Sequence, residues 1–417
     1  MSKKSSKDII IGLDVGTSKV ATIVGNPNEE MGFDVIGIGT APNTAMRKGT
    51  VIDLEDTISA ISASLEEAEK MSGYRIENAI LAAGGDHIKS ADSKGVIAVS
   101  GDNGEVGIDD IERVIEAAKS ITQPTNREML HIMPRLYTVD GQSGVKDPLG
   151  LTGIRLEVEA HVISASTPAL KNLTKCVEQA GVNIMGLVYS GIASANSMLS
   201  KKQKEIGVVL ADIGAGTTDL VVCEEGEVIH SATLPVGSMN ITNDIAIGLK
   251  TSIATAEAVK LKYGVCKPDA VSDHERINLT DFDKNEEQEA SQKYLAEIIE
   301  ARMAEILSLI KEELKSVNKD GMLPAGAVFC GGGAKLGGLV DLSKEILRLP
   351  SSVGTPIIEL TGFVDKVIDP SYATVIGLIQ QALKEPIKRD GFFSMPKVTS
   401  ASATPNKIRD WFKQFIP

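Results

Sequence analysis

Aromatic side chains are scarce in this chain: they make up 4% of 417 residues, and the one tryptophan is Trp411. No uninterrupted apolar run approaches the roughly 18 residues that a membrane-spanning helix requires. No secretory leader is expected either, because the opening "MSKKSSKD" is polar and the next apolar run, "IIIGLDV", carries an aspartate. The four cysteines, Cys176, Cys223, Cys266 and Cys330, lie far apart without metal-ligand spacing. Such thiols in an unexported chain read as reduced core residues, and a cytosolic protein is expected. A surplus of positive charge is also missing. The net charge of −13 argues against general nucleic-acid binding, so no nucleic-acid partner is expected.

The length exceeds one ordinary core, which predicts two to four domains. Charge is unevenly spread along it. From Lys384 onward there are seven basic and three acidic residues, a surplus of +4, so residues 1–383 carry −17. A basic tail on an acidic body suits an anionic surface such as a membrane.

Two stretches, "IIIGLDVGTSKVATIVG" (9–25) and "GVVLADIGAGTTDLVVC" (207–223), align with Asp14 over Asp212. Each reads as two β-branched-rich strands joined by a tight glycine turn. Copies about 200 residues apart predict two related α/β domains facing each other. Between and after them, helices are expected over 53–73, 107–121, 167–181, roughly 290–317, and 371–384.

Glycine turns leave backbone N–H groups open to an anion. Thr17, Ser18, Thr217 and Thr218 can add hydroxyl donors, Lys19 a positive charge, and Asp14 and Asp212 can hold Mg²⁺ through water, as that ion prefers. A third loop, "AGAVFCGGGAKLGGL" (325–339), runs from an apolar strand through Gly331, Gly332 and Gly333 towards an expected helix N-terminus that favours an anion. Three glycines in a row let a purine ring or phosphate approach the backbone. Asp219 and Asp14 are polar candidates for work at a γ-phosphate, although Asp219 could equally cap its turn. His87, His131, His161, His230 and His274 fall in no catalytic pattern.

These three loops in this order resemble the ATP site of the actin-like superfamily, with "SGIASANSML" (190–199) and "DPSYATVIGLIQQAL" (369–383) as its two connecting helices. The resemblance implies ATP with Mg²⁺ between two halves. It draws in Gly16, Gly214, Gly216, Gly237 and Lys335 beside the residues already named. Two further stretches, "LHIMPRLYTVDGQSGVKDPLGLTGIRLEVEAHVISAS" (130–166) and "GSMNITNDIAIGLKTSIATAEAVKLKYG" (237–264), are similar to the bacterial cell-division FtsA family. In the second, Glu257 and Lys260 would sit near the ribose and adenine. Residues three apart share one helix face, so an exposed ion pair is the plain alternative. "AAGGDHIKS" (82–90) departs from the family, which would have Ser-Gly before the shared His-Ile.

The implied fold is α/β: an actin-like two-lobed fold with duplicated α/β domains, an inserted α+β subdomain and a C-terminal amphipathic helix on a flexible linker. The expected partition is a first lobe of 1–83 with 163–196, the insertion at 84–162, and a second lobe of 197–249 with 325–384. Its small subdomain spans 250–324, the linker 385–404 and the terminal helix 405–417. In that helix, Ile408, Trp411, Phe412, Phe415 and Ile416 follow an i, i+3, i+4, i+7, i+8 pattern, with Lys407, Arg409 and Lys413 alongside. Each apolar residue could contribute about 1.5–3 kcal/mol if fully removed from water, less for partial insertion. With no residue marked as a water activator, slow or negligible ATP turnover and filament formation on the membrane are expected. The family resemblance adds a role in tethering FtsZ through its C-terminal peptide and recruiting later division proteins. The rival readings are an actin-like type IV pilus assembly protein, without such a tail, and a sugar kinase of the same superfamily, with a sugar-binding catalytic aspartate.

Overall fold

A computed structural model describes residues 9–28, 32–101, 103–121, 126–286 and 288–384. The expected linker and terminal helix, with Ile408, Trp411, Phe412, Phe415 and Ile416, lie outside the described residues.

The β-branched runs at both aspartate–glycine motifs form antiparallel hairpins. In the first, Ile10–Val15 pairs with Lys19–Pro27 and Asp14 lies opposite Ala21. In the second, Val208–Ile213 pairs with Thr218–Glu224 and Asp212 lies opposite Asp219. The duplication extends beyond the hairpins. Phe33–Pro42 and Glu227–Leu234 each add a third antiparallel strand to their hairpin. On the opposite side, each first strand gains two parallel neighbours, Asn78–Ala83 then Asn183–Tyr189 in one sheet and Ala327–Cys330 then Ser351–Val353 in the other. Leu360–Gly362 adds an extra edge to the first sheet.

The parallel strands require crossover connections. The helix Leu54–Ser72 serves one of them. It starts at Asp53, whose carboxylate accepts the Asp56 N–H, and stops at Gly73, where φ is 74°; an acid at the start and a left-handed glycine at the stop are what its sequence predicts. An antiparallel sheet in the order Lys89–Ala98, Arg155–Ser166, Arg127–Val139, Gln142–Val145 makes the insertion. The helix Ile108–Ile121 covers it, burying Ile111, Val114, Ile115 and Ala118 against Leu156 and Val158.

In the second lobe, the long helix Gln292–Ser316 buries Leu295, Ile299, Met303, Ile306, Ile310 and Leu314 at three- and four-residue spacing. That stripe shares one core with Val209, Ala211 and Leu220 of the sheet. All four cysteines are buried and free.

Two helices meet between the lobes, Ser190–Met198 and Ala373–Lys384. A Cβ added to Gly377 would lie 1.8 Å from the Ala193 carbonyl oxygen, so only glycine permits this approach. The second helix starts later than position 369, because Asp369 accepts the Ser371 N–H and Pro370–Tyr372 closes a separate 3₁₀ turn.

Candidate functional site: a cleft between the lobes

The two hairpin turns and the glycine run converge on one cleft of about 480 Å³. Of the residues singled out from the sequence, Asp14, Gly16, Thr17, Ser18, Lys19, Asp212, Gly214, Gly216, Thr217, Glu257, Lys260, Gly331, Gly332, Gly333 and Lys335 line it. Two do not. Thr218 is fully buried and its hydroxyl donates to the Val236 carbonyl at 2.9 Å, so it opens the strand and offers nothing to the cleft. Gly237 lies behind the turn, where a Cβ would come within 2.6 Å of the Gly214 and Ala215 carbonyl oxygens. Its smallness lets Ser238 N–H reach the Gly214 oxygen at 2.8 Å, bracing the loop from outside.

Each glycine turn is tied at its base: Gly16 N–H bonds the Lys19 carbonyl at 3.0 Å and Gly214 N–H the Thr217 carbonyl at 2.9 Å. Gly331 has φ 80°, and a Cβ there would fall 2.3 Å from Asp212 Oδ1. A Cβ on Gly332 would meet no protein atom within 4 Å. Glycine at 332 therefore answers to no packing demand of the protein itself and leaves the backbone bare towards the cleft. The expected helix does not follow directly. Gly332–Lys335 forms a 3₁₀ turn and the helix begins only at Leu339, capped at Gly338, so its N-terminus does not face the cleft lining.

Lys19 Nζ donates to Ser371 Oγ at 2.9 Å and lies 4.0 Å from the Tyr372 ring centre. Burial pushes its pKa down, opposed mainly by Asp14 and Asp369. Lys335 is held by Asp369 at 2.5 Å. Glu257 and Lys260 form the ion pair that their spacing allows, at 2.7 Å, but Lys260 is only 6% exposed. Thr242 Oγ1 at 2.8 Å and the Ser238 carbonyl at 3.3 Å also receive its ammonium, so this is a built-in buried cation rather than a surface pair.

Three carboxylates set the electrostatics. Burial first, and then the neighbouring Asp212 charge, raise Asp14 to about 7, against the lowering pull of Lys19. Asp219 also rises to about 7 through burial, with the Asp212 charge adding to it and the Thr233 hydroxyl opposing. Asp212 is raised by burial and eased by hydroxyl donors, Ser194 at 2.5 Å and Thr374 at 3.2 Å. Repulsion among carboxylates in one cleft disfavours their charged forms, and a nearby cation would offset it. Among the described residues, no group of three or more His, Cys, Asp or Glu side chains forms a ready cage. Mg²⁺ keeps several waters and takes one or two carboxylates beside phosphate oxygens, so the donors present fit that ion.

Ser190, Ser238, Ser371 and Thr374 also line the cleft and were not singled out. Ser190 and Thr374 lie on the two interlobe helices, and nothing in their local sequence distinguishes them from packing residues.

The chain matches the family model "Cell division protein FtsA" over residues 209–377 and "SHS2 domain inserted in FTSA" over 85–164. It is 37% identical to the cell division protein FtsA of Pseudomonas aeruginosa, over 92% of each chain. Among solved structures it is similar to the PilM-PilN type IV pilus biogenesis complex, with TM-score 0.67 and 17% identity, over 90% of this chain and 99% of the other. It is also similar to MreB5 of Spiroplasma citri bound to AMPPNP, with TM-score 0.52 and 15% identity, over 89% and 95%. At such identities the structural likenesses speak for the actin-like fold alone. The near-full-length relative speaks for more: this chain belongs to the cell division protein FtsA family, an actin-like fold carrying an inserted SHS2 domain.

Proposed function

We propose that the cleft binds ATP with Mg²⁺, and that the nucleotide serves as a conformational and assembly ligand with slow or negligible turnover. The observation that carries this reading is the pair of aspartate–glycine hairpins opposed across one cleft, with a third glycine loop at its side. Gly16, Thr17, Ser18, Gly214, Gly216 and Thr217 would hold phosphate oxygens, with Lys19 as their counter-charge. Asp14 and Asp212 would hold Mg²⁺ through water, a charge that offsets their repulsion. Gly331–Gly333 with Lys335, Glu257 and Lys260 would flank the nucleoside. The bound AMPPNP of the similar MreB5 structure supports the nucleotide reading.

At the level of the cell, the chain would polymerise at the division site on the cytoplasmic face of the membrane, tether FtsZ and recruit later division proteins. Family membership supports this role. The FtsZ C-terminal peptide would dock on residues 250–324 beside the long helix. Attachment to anionic lipid would run through Ile408, Trp411, Phe412, Phe415 and Ile416. A single such helix binds weakly, and a filament presenting many of them binds firmly through avidity. The partition into lobes at 1–83 with 163–196 and 197–249 with 325–384, with the insertion at 84–162, belongs to the same reading.

The test is co-pelleting with vesicles containing anionic lipid in magnesium-ATP. It compares the intact chain, a truncation after Thr404, and Trp411→Glu. The reading requires that only the intact chain pellets. Equal pelleting of all three, or of none, removes the tail as the anchor.

A further inference from the structure

Tyr189 touches three parts of the molecule at once. It ends the strand Asn183–Tyr189 of the first sheet and precedes the interlobe helix whose first residue, Ser190, lines the cleft. Its hydroxyl reaches three oxygens of the second lobe: Asp219 Oδ1 at 3.2 Å, the Ala232 carbonyl at 3.1 Å and Thr233 Oγ1 at 3.0 Å. Its backbone N–H donates to Nε2 of His131, on a strand of the insertion, at 2.9 Å. The side chain is fully buried, and residue 191 must be glycine beside it, because a Cβ there would sit 2.7 Å from the ring.

A phenol has one proton to donate. Here two groups able to accept it, the Asp219 carboxylate and the Ala232 carbonyl, lie within reach. Asp219 faces the cleft on one side and the phenol on the other. Thr233 Oγ1, 2.6 Å from the same carboxylate oxygen, keeps that oxygen bonded when the phenol's proton goes to Ala232. The pair Asp219–Tyr189 therefore has two discrete hydrogen-bond arrangements. One ties the phenol to the cleft, and the other ties it to the strand Glu227–Leu234.

That strand is the free edge of the second sheet, and the insertion covers it with side chains instead of a further strand. Arg135 donates to the Ile229 carbonyl at 3.0 Å. His161, held by Asp92 at 3.0 Å, meets Ser231 Oγ at 2.9 Å, two residues from Thr233. Redirecting the phenol's hydrogen bond from Asp219 to Ala232 is thus a change at the surface on which the insertion sits.

We infer that Tyr189 couples the occupancy of the cleft to the seating of the inserted subdomain, a reading that rests on nucleotide binding there. An occupant that draws Asp219 towards the cleft releases the phenol to Ala232. This adds a hydrogen bond to the edge strand that Arg135 and His161 of the insertion grip. The coupling resides in a two-state element that both sites bias, the physical requirement for a relay.

The test is hydrogen exchange on the intact chain with and without magnesium-AMPPNP, in the unsubstituted protein, Tyr189→Phe and Thr233→Val. In the unsubstituted protein, ligand should slow exchange roughly threefold or more in the helix Ile253–Tyr263, beside the nucleoside, and in the strand Arg127–Val139. Tyr189→Phe keeps the ring and should retain the first effect while losing the second. Thr233→Val keeps Tyr189 itself and should show the same split, which guards against a folding defect in the first variant. Protection of both segments in both variants would overturn the relay. So would protection of the helix alone in the unsubstituted chain. Absence of protection in both segments of that chain would overturn the nucleotide reading, and the relay with it.

Discussion

Asp14 and Asp212 hold equivalent places in two hairpins that face each other across the cleft, and the charge of Asp212 helps to raise Asp14 to about 7. A carboxylate raised in the folded state costs stability as pH rises. Its cost is absent below the unfolded value near 3.8 and complete above the folded value. Asp14→Asn should therefore stabilise the ligand-free protein at pH 8 by about 2–4 kcal/mol and leave it unchanged near pH 3.5. The same substitution should weaken magnesium-ATP binding roughly tenfold or more. Urea unfolding at the two pH values, with calorimetric titration of the nucleotide, checks both. An equal change at both pH values would contradict the account.

Thr217 and Thr218 should behave differently despite being neighbours. Thr217→Ala should lower magnesium-ATP affinity with little effect on the melting temperature. Thr218→Val should leave the buried Val236 carbonyl without its hydroxyl donor and cost about 1–2 kcal/mol of stability. Nucleotide titration and chemical denaturation of the two variants separate the roles.

His131 should make the fold sensitive to acid. Burial lowers it from 6.5 to about 4, and its Nε2 accepts the Tyr189 N–H, a bond that only the neutral ring can make. The depressed value means that its contribution is present above pH 6.5 and is lost as pH falls towards 4, amounting to about 3 kcal/mol. His131→Gln keeps an acceptor that does not titrate in this range. Its unfolding free energy should fall less steeply between pH 6.5 and 4.5 than that of the unsubstituted protein.

Gly377→Ala should disturb the contact between the interlobe helices. The added methyl would fall on the Ala193 carbonyl, a backbone atom that cannot rotate aside. Overpacking of this kind costs about 1–3 kcal/mol, although alanine favours a helix interior over glycine by nearly 1 kcal/mol. A lowered urea midpoint is expected, and a raised midpoint would show that the helices part freely.

Much of the fold was legible locally. β-branched runs around glycine turns marked both hairpins, and the repeat of Asp14 at Asp212 pointed to the duplicated sheets. The acid at 53 and glycine at 73 bracketed a helix that runs from Leu54 to Ser72. These signals are short-range: propensity, capping and turn geometry act within a few residues. The loops of the cleft were legible for the same reason, since a bare turn declares itself by its glycines.

What the sequence determined by itself was therefore the set of parts and most of the loop residues brought to the cleft. Tertiary structure decided which hydroxyl of the Thr217–Thr218 pair faces inward, and that Ser190, Ser371 and Thr374 join it from elements far away in the chain. It also turned the Glu257–Lys260 spacing from a possible surface pair into a buried cation held by Thr242 and Ser238. It alone placed Tyr189 against Asp219 and His131. Burial and hydrogen-bond partners of this kind arise from contacts tens to hundreds of residues apart, which no local pattern records.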